Sequence, residues 1–446
     1  MYLFVRIMGL IQGTHKAPKL APQDFISSMP DIVINNILDR LPFRNAVRTS
    51  VLSSNWRFKW TMLTQLVLDV DFFDSLEAVD EDEEDEEEDE DEEDEEEDED
   101  EEDEEEVDDD ESNNESIVSK LLLQLRGPIT KFELSVDDIS DADDMDNWIL
   151  FLSRRGLKDL TLNNWGPTPL NLPTHLFSCV ELKHLKLRNC SFSLPPTFHG
   201  FPNLLSLYLR VEFEDNIQLG EFFTRCPLLE KLTMDDLFEM DKVNIVEIAK
   251  QENLKILSLK FHDSHDETTT ASSSNIFELV GSLPKLQELH LDFEECRLIE
   301  GGGKKSFFTV FPCLKVLKLS DICLDNGIMF SFAFELIRSS PNLQTLEITP
   351  SNWCMCIFLQ SANSPPQVDC STTRLLQLQS VMFDCLKGSE NEIRLIKYLL
   401  ACSPSLKRMH IFSCHFSSSE QKLVFVRKLL KLYRASPVVE LELFWH

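Results

Sequence analysis

The chain has 446 residues, 42 % of them hydrophobic, enough to build two or more folded units. Its formal net charge is −37, but 31 acidic residues lie between Asp80 and Glu111, and setting those 31 aside takes −37 to −6. A mildly acidic body excludes a duplex-binding surface, which needs a basic stripe, and no apolar run approaches the roughly 18 residues of a membrane-spanning helix.

Residues 1–22 hold Pro18 and Pro22 and read as a flexible lead. Met1 to Ile11 are apolar with one Arg, but no small-residue cleavage site follows, which argues against a secretory signal. Residues 23–62 read as three short helices. Pro30 suits a first helical turn, and Asp31 favours the positive end of the helix dipole. Ile34, Ile37, Leu38 and Leu41 fall at i, i+3, i+4 and i+7, one apolar stripe that Pro42 ends. A second helix is predicted from about Arg44 to Leu52, with Val47 and Val51 one turn apart. In a third, capped by Ser53 or Ser54, Trp56, Trp60 and Leu63 share a face. About 40 residues with this much apolar surface make a poor core alone. The module therefore needs either a partner or the adjoining chain to cover it.

Residues 63–446 repeat. The pattern L-x-x-L-x-L starts at Leu157, Leu182, Leu204, Leu229, Leu254, Leu286, Leu314, Leu343, Leu378 and Leu406, with weaker copies at Leu63, Ile129 and Val438. Pro202, Pro227, Pro284, Pro312, Pro341 and Pro404 each stand two residues ahead of a first Leu. This pattern, with steps in the twenties and thirties, is the leucine-rich-repeat signature. The last two apolar positions of a copy are two apart, so they share one face of a strand. One repeat cannot bury them; stacked copies can. The predicted fold is α/β: the helical module, then an irregular solenoid, a horseshoe with its parallel sheet on the concave face and helices outside. Ile117, Val118, Leu121, Leu122 and Leu125 follow one such outer helix, as do Ile393, Ile396, Lys397, Leu399 and Leu400 with an apolar majority. Cys190 and Cys414 fall where regular repeats place Asn or Cys. The twelve cysteines include no CxxC pair, the closest being Cys354 and Cys356, so no metal site is predicted. They read as small buried hydrophobes of a reducing compartment.

The solenoid, assigned to residues 63–374, is broken by an acidic insert at residues 80–111. Asp80 to Glu106 is an unbroken run of 27 carboxylates. They repel one another and bury nothing, so disorder is expected there. An insert with no specific task and a polyanion that attracts basic proteins are both open readings.

Met29-Pro30, Ile37-Leu38, Leu41-Pro42, Val47, Thr49, Val51-Leu52-Ser53 and Trp56-Arg57-Phe58-Lys59-Trp60 resemble the F-box motif. The family usually has Leu where Met29 stands. The version resembles that of plant F-box proteins with leucine-rich repeats and a C-terminal FBD region. Residues 375–446 resemble the FBD region, through Glu392 to Leu400 and Ser403-Pro404-Ser405-Leu406-Lys407-Arg408-Met409. The resemblance implies a substrate-recognition subunit of a Skp-cullin-F-box ubiquitin ligase, in the cytoplasm or nucleus. Such a subunit supplies proximity and no chemistry, and needs no cofactor. Met29, Pro30, Ile34, Leu38, Leu41 and Pro42 would face the Skp-type adaptor, which links the chain to a cullin-RING complex. Val47, Leu52, Trp56 and Trp60 would hold the module together or join it to the first repeat.

Residues alternating with the buried Leu should face the concave surface and meet a protein substrate. Lys186, Arg188, Tyr208, Arg210 and His290 are the candidates, with Lys186, Arg188 and Arg210 as a basic patch for an acidic or phosphorylated segment. No triad spacing surrounds His290 or His410. The readings that compete with a ligase subunit are a scaffold whose helical module is only a cap and an acidic-tract chaperone of basic proteins.

Overall fold

The computed structural model describes residues 29–74, 76, 111–136, 142–212, 216–237, 242–261, 270–294, 296–299, 310–351, 375–413, 416 and 418–445. The chain forms two compact units, Met1–Leu204 and Leu205–His446.

The first unit opens with α1 (Asp31–Leu38) and α2 (Phe43–Arg48). The second predicted helix is cut short: after Arg48 the chain tightens into a 3-10 turn, Thr49–Val51. The third is reduced to a 3-10 turn, Lys59–Met62. There Lys59, Thr61 and Leu63 donate to carbonyls only three residues back, so no α-helical ladder forms. β1 (Gln65–Leu68), α3 (Glu111–Gln124), β2 (Lys131–Val136), α4 (Ala142–Ser153), β3 (Asp159–Asn164), β4 (Leu170–Asn171) and β5 (His184–Ser191) follow. β1, β2, β3 and β5 pair in that order, all parallel, and β4 pairs with the end of β5.

The register explains the repeat. Leu66, Phe132, Leu160 and Leu185 align across the strands, and two residues on, so do Leu68, Leu134, Leu162 and Leu187. All eight are at most 2 % exposed. The faint copies at Leu63 and Ile129 behave as complete repeats, since both first positions are buried beside Leu157 and Leu182. Ile117, Val118, Leu121, Leu122 and Leu125 bury one face of α3, and Trp148 Nε1 of α4 donates to Ser119 Oγ at 2.7 Å. The acidic insert falls outside the described residues except for Glu111, which is the first residue of α3.

The second unit continues with β6 (Ser206–Glu212), α5 (Asn216–Thr224), β7 (Lys231–Leu237), α6 (Lys242–Ala249), β8 (Ile256–Phe261), β9 (Thr270–Ser272), α7 (Ser273–Ser282), β10 (Glu288–Asp292), β11 (Arg297–Ile299), β12 (Val316–Ile322), α8 (Gly327–Arg338), β13 (Thr345–Pro350), β14 (Ser380–Phe383), α9 (Glu390–Cys402), β15 (Arg408–Ser413), α10 (Ser419–Leu430) and β16 (Glu440–Trp445). Strands β6, β7, β8, β10, β12, β13, β14, β15 and β16 lie in one parallel array, and β9 pairs only with β11. One apolar row runs Leu207, Leu232, Leu257, Leu289, Leu317, Leu346, Val381, Met409 and Leu441. Every member before Leu441 is fully buried. Leu441 lies on the last described strand, with a strand neighbour on one side only, and is half-buried. For the same reason Val438 is 66 % exposed and Val439 takes the buried place.

Phe fills the space between strands and helices. Phe261 stacks on Phe293 at 5.5 Å, and Phe332 meets both Phe293 and Phe277 edge-on. Cys179, Cys190, Cys226, Cys296 and Cys402 are buried free thiols, as expected of small hydrophobes. Cys323, which is disulfide-bonded, and Cys313, which is exposed, depart from that reading, and Cys414 lies outside the described residues.

Candidate functional site

The helical module is built on α1. Pro30 stands at its N-cap, and its carbonyl accepts from the Val33 and Ile34 amides. Asp31, in the first turn, pairs with Lys59 Nζ at 2.6 Å. Asp39, just past α1, accepts from the Thr64 amide at 2.9 Å and from Thr64 Oγ1 at 2.8 Å, which ties the helix to the entry of β1. The interior is Ile34, Leu38, Phe43, Ala46, Val47, Trp56 and Trp60. Phe43 meets Trp60 and Phe72 edge-on at 6.0 and 5.8 Å, so the module shares its core with the first repeat.

This changes the assignment of the predicted adaptor-facing residues. Ile34 and Leu38 are fully buried and cannot meet a partner; they pack α1 against the module's own interior. Pro30, Leu41 and Pro42 are exposed, and Met29 is partly so. Leu52, predicted to be internal, is 62 % exposed, because the chain turns outward after the 3-10 turn. Val47, Trp56 and Trp60 are buried as expected. The outer surface is instead made by Ile32, Val33, Ile37, Leu41, Leu52 and Phe58, with Ile32 at 71 % and Phe58 at 58 % exposed. Large apolar side chains at this density on a surface mark an interaction site. Ile32 and Val33 were legible only as neighbours of the predicted stripe, and Phe58 only as part of the motif.

The strand faces carry the predicted substrate residues, but not as a free basic patch. In the first unit, the Arg188 guanidinium lies 3.5 Å from the centre of the Trp165 ring, a cation–π pair. Lys186 shares β5 with it. In the second unit, Tyr208 and Arg210 lie on β6, and Tyr208 Oη donates to Asp235 Oδ2 at 2.8 Å. Lys260 pairs with Glu294 at 2.7 Å and Lys318 with Glu347 at 2.6 Å. His290 is half-buried; burial first, and then Lys318, hold its imidazole below the usual histidine value, so it is neutral near neutral pH. His410 Nε2 lies 3.3 Å from Glu442. Burial pushes the Cys179 and Cys190 thiols up to about 12, which leaves neither a nucleophile.

The F-box domain family matches residues 26–66, which span the helical module. The LRR repeats of FBD-associated F-box protein At5g56370 match residues 145–268. The chain is 30 % identical over 444 residues to F-box/FBD/LRR-repeat protein At1g13570 of Arabidopsis thaliana, covering 94 % of this chain and 98 % of that protein. It is 31 % identical over 221 residues to F-box/LRR-repeat protein At4g14103 of the same plant, covering 48 % of this chain and 50 % of the other. It is 24 % identical over 462 residues to F-box/LRR-repeat protein At4g14096, also of Arabidopsis thaliana, covering 87 % and 88 %.

Proposed function

The chain belongs to the plant F-box/FBD/LRR-repeat family, and from that premise we propose that it is the substrate-recognition subunit of a Skp-cullin-F-box ubiquitin ligase. F-box domains generally bind Skp-type adaptors in cullin complexes, and proteins that join an F-box to leucine-rich repeats are generally receptors for substrates and not enzymes. The observation that carries the reading is the apolar surface of residues 29–62. The module already has an interior in Ile34, Leu38, Val47, Trp56 and Trp60, and still exposes Ile32, Ile37, Leu41, Leu52 and Phe58. A cap whose only task was to close the first repeat would gain nothing from that surface. An adaptor that covers it removes the apolar area from water.

The chain's contribution is then positional. The module fixes it to the adaptor, the repeats hold a protein substrate, and the rate of ubiquitin transfer rises through proximity. The cytoplasm or the nucleus is the compartment proposed for it. The test is co-purification of the Skp-type adaptor with the full chain. Changing Ile32, Ile37 and Leu52 together to Asp is expected to abolish it while leaving the circular dichroism and melting midpoint of the chain in place, because all three side chains are exposed. Undiminished adaptor capture by that folded variant overturns the proposal.

A further inference from the structure

On the strand faces Lys260 and Lys318 pair with Glu294 and Glu347, whereas Arg427 and Lys428 of α10 pair with no described carboxylate. Between Glu390 and Arg434 the chain has nine Lys and Arg against three Glu, within a protein of net charge −37. α10 turns Phe425 and Leu429 inward. Outward it presents Leu423, Arg427, Lys428 and Leu430, followed by Lys431 and Tyr433. Leu430 is 65 % and Tyr433 71 % exposed. None of Arg427, Lys428 and Lys431 makes an ion pair with a described residue. Beside this face lies a surface cavity of about 580 Å³ lined by Lys387, Gly388, Phe416, Val424, Phe425 and Lys428, with Glu420 as a carboxylate on its wall. Its aromatic wall is formed by Phe416 and Phe425, with ring centres 5.0 Å apart. Gly388, at φ +79°, keeps the cavity open on that side: a Cβ there would stand 2.7 Å from Phe416 Cζ. Lys387 Nζ already donates to the Ser351 carbonyl, which leaves Lys428 as the cavity's cation without an ion pair among the described residues.

We propose that the outer face of α10 and the adjoining cavity form a docking surface for a short acidic peptide segment of a partner protein, with one bulky apolar side chain seated in the cavity. Charge complementarity chooses the acidic segment: Lys428 stands at the opening, and Arg427 and Lys431 lie next to it in the chain, none of the three in an ion pair with a described residue. The cavity chooses a peptide over an anionic bilayer. Phe416 and Phe425 offer one apolar side chain a concave seat, which a bilayer surface would leave unfilled. The surface goes beyond the proposed ligase role and is independent of the helical module, so each can fail alone.

The probe is a fluorescein-labelled polyglutamate peptide carrying one central Phe, titrated with the purified full chain and followed by anisotropy. Saturable binding is expected. It should weaken about tenfold or more in Arg427→Glu/Lys428→Glu, and comparably when the peptide's Phe is replaced by Glu, a tenfold change being 1.4 kcal/mol. The milder Arg427→Gln/Lys428→Gln pair should show the same trend if charge reversal disturbs folding. Adaptor co-purification, measured on the same samples, should not change. Equal binding by the charge-reversed chain, equal binding of the peptide without Phe, or flotation on phosphatidylserine vesicles without peptide binding would each overturn the proposal.

Discussion

The helical module and the repeats of the second unit treat apolar side chains in opposite ways. In the repeats, every first and third position of the strand pattern from β7 to β15 has a neighbour above and below, and Leu257, Leu289, Leu317 and Leu346 are completely buried. In the module, α1 is only eight residues long and five of them are apolar, so burying Ile34 and Leu38 leaves Ile32, Val33 and Ile37 in water. Stacking gives a repeat an internal solution to its own surface. A short helix at the end of a stack has no such solution, and its surplus surface is available to another protein.

The sharpest way to break that comparison is to make the same change in both places. Leu317→Ala removes side-chain volume from the closed stack and should cost about 2–5 kcal/mol, read by denaturant unfolding. Ile37→Ala removes a similar side chain from the module's surface and should move stability by no more than about 0.5 kcal/mol. Equal losses at the two sites would mean that the module is as closed as the repeats.

A smaller effect is expected where a polar device holds a repeat helix in place. Ser389 caps α9: its hydroxyl accepts from the Glu392 amide at 3.3 Å, and Glu392 Oε2 accepts from the Ser389 amide at 2.8 Å. Ser389→Ala should destabilise by about 0.5–2 kcal/mol in the same unfolding experiment.

The smallest effect lies on the strand face. Burial first, and then the neighbouring Asp321, hold the Asp292 carboxyl above the usual aspartate value. The folded chain therefore keeps that proton more firmly than the unfolded chain does, and ionisation costs the folded state above the raised value. Asp292→Asn should raise the melting midpoint near neutral pH. The gain should fade on acidification and vanish below the ordinary aspartate range, where the wild-type carboxyl is protonated in both states.

The stack was legible because its signal is redundant. A Leu every two residues on a strand, repeated more than ten times, admits one arrangement, and even Leu63 and Ile129 obeyed it. The site was less legible, for two physical reasons. A stripe at i, i+3, i+4 and i+7 does not say which of its edges turns inward, so Ile34 and Leu38 went to the interior while Ile37 and Leu41 stayed out. The predicted strand-face residues and their neighbours depend on partners more than twenty positions away in sequence. Tyr208 meets Asp235, Arg188 meets Trp165, and Lys260 meets Glu294. Charge could be counted along the chain, but its cancellation across strands could not.

The pairing of β1 with β2 sets Gln65 against Lys131 across everything the chain inserts between them. Their alignment is held by Leu66 on Phe132 and Leu68 on Leu134, none of which reads how many residues intervene. Doubling a connection of that kind costs only about 0.6 kcal/mol in closure entropy. The span of carboxylates is thus a dial that mutation can lengthen or trim one codon at a time, while the folded body on either side keeps the same blueprint.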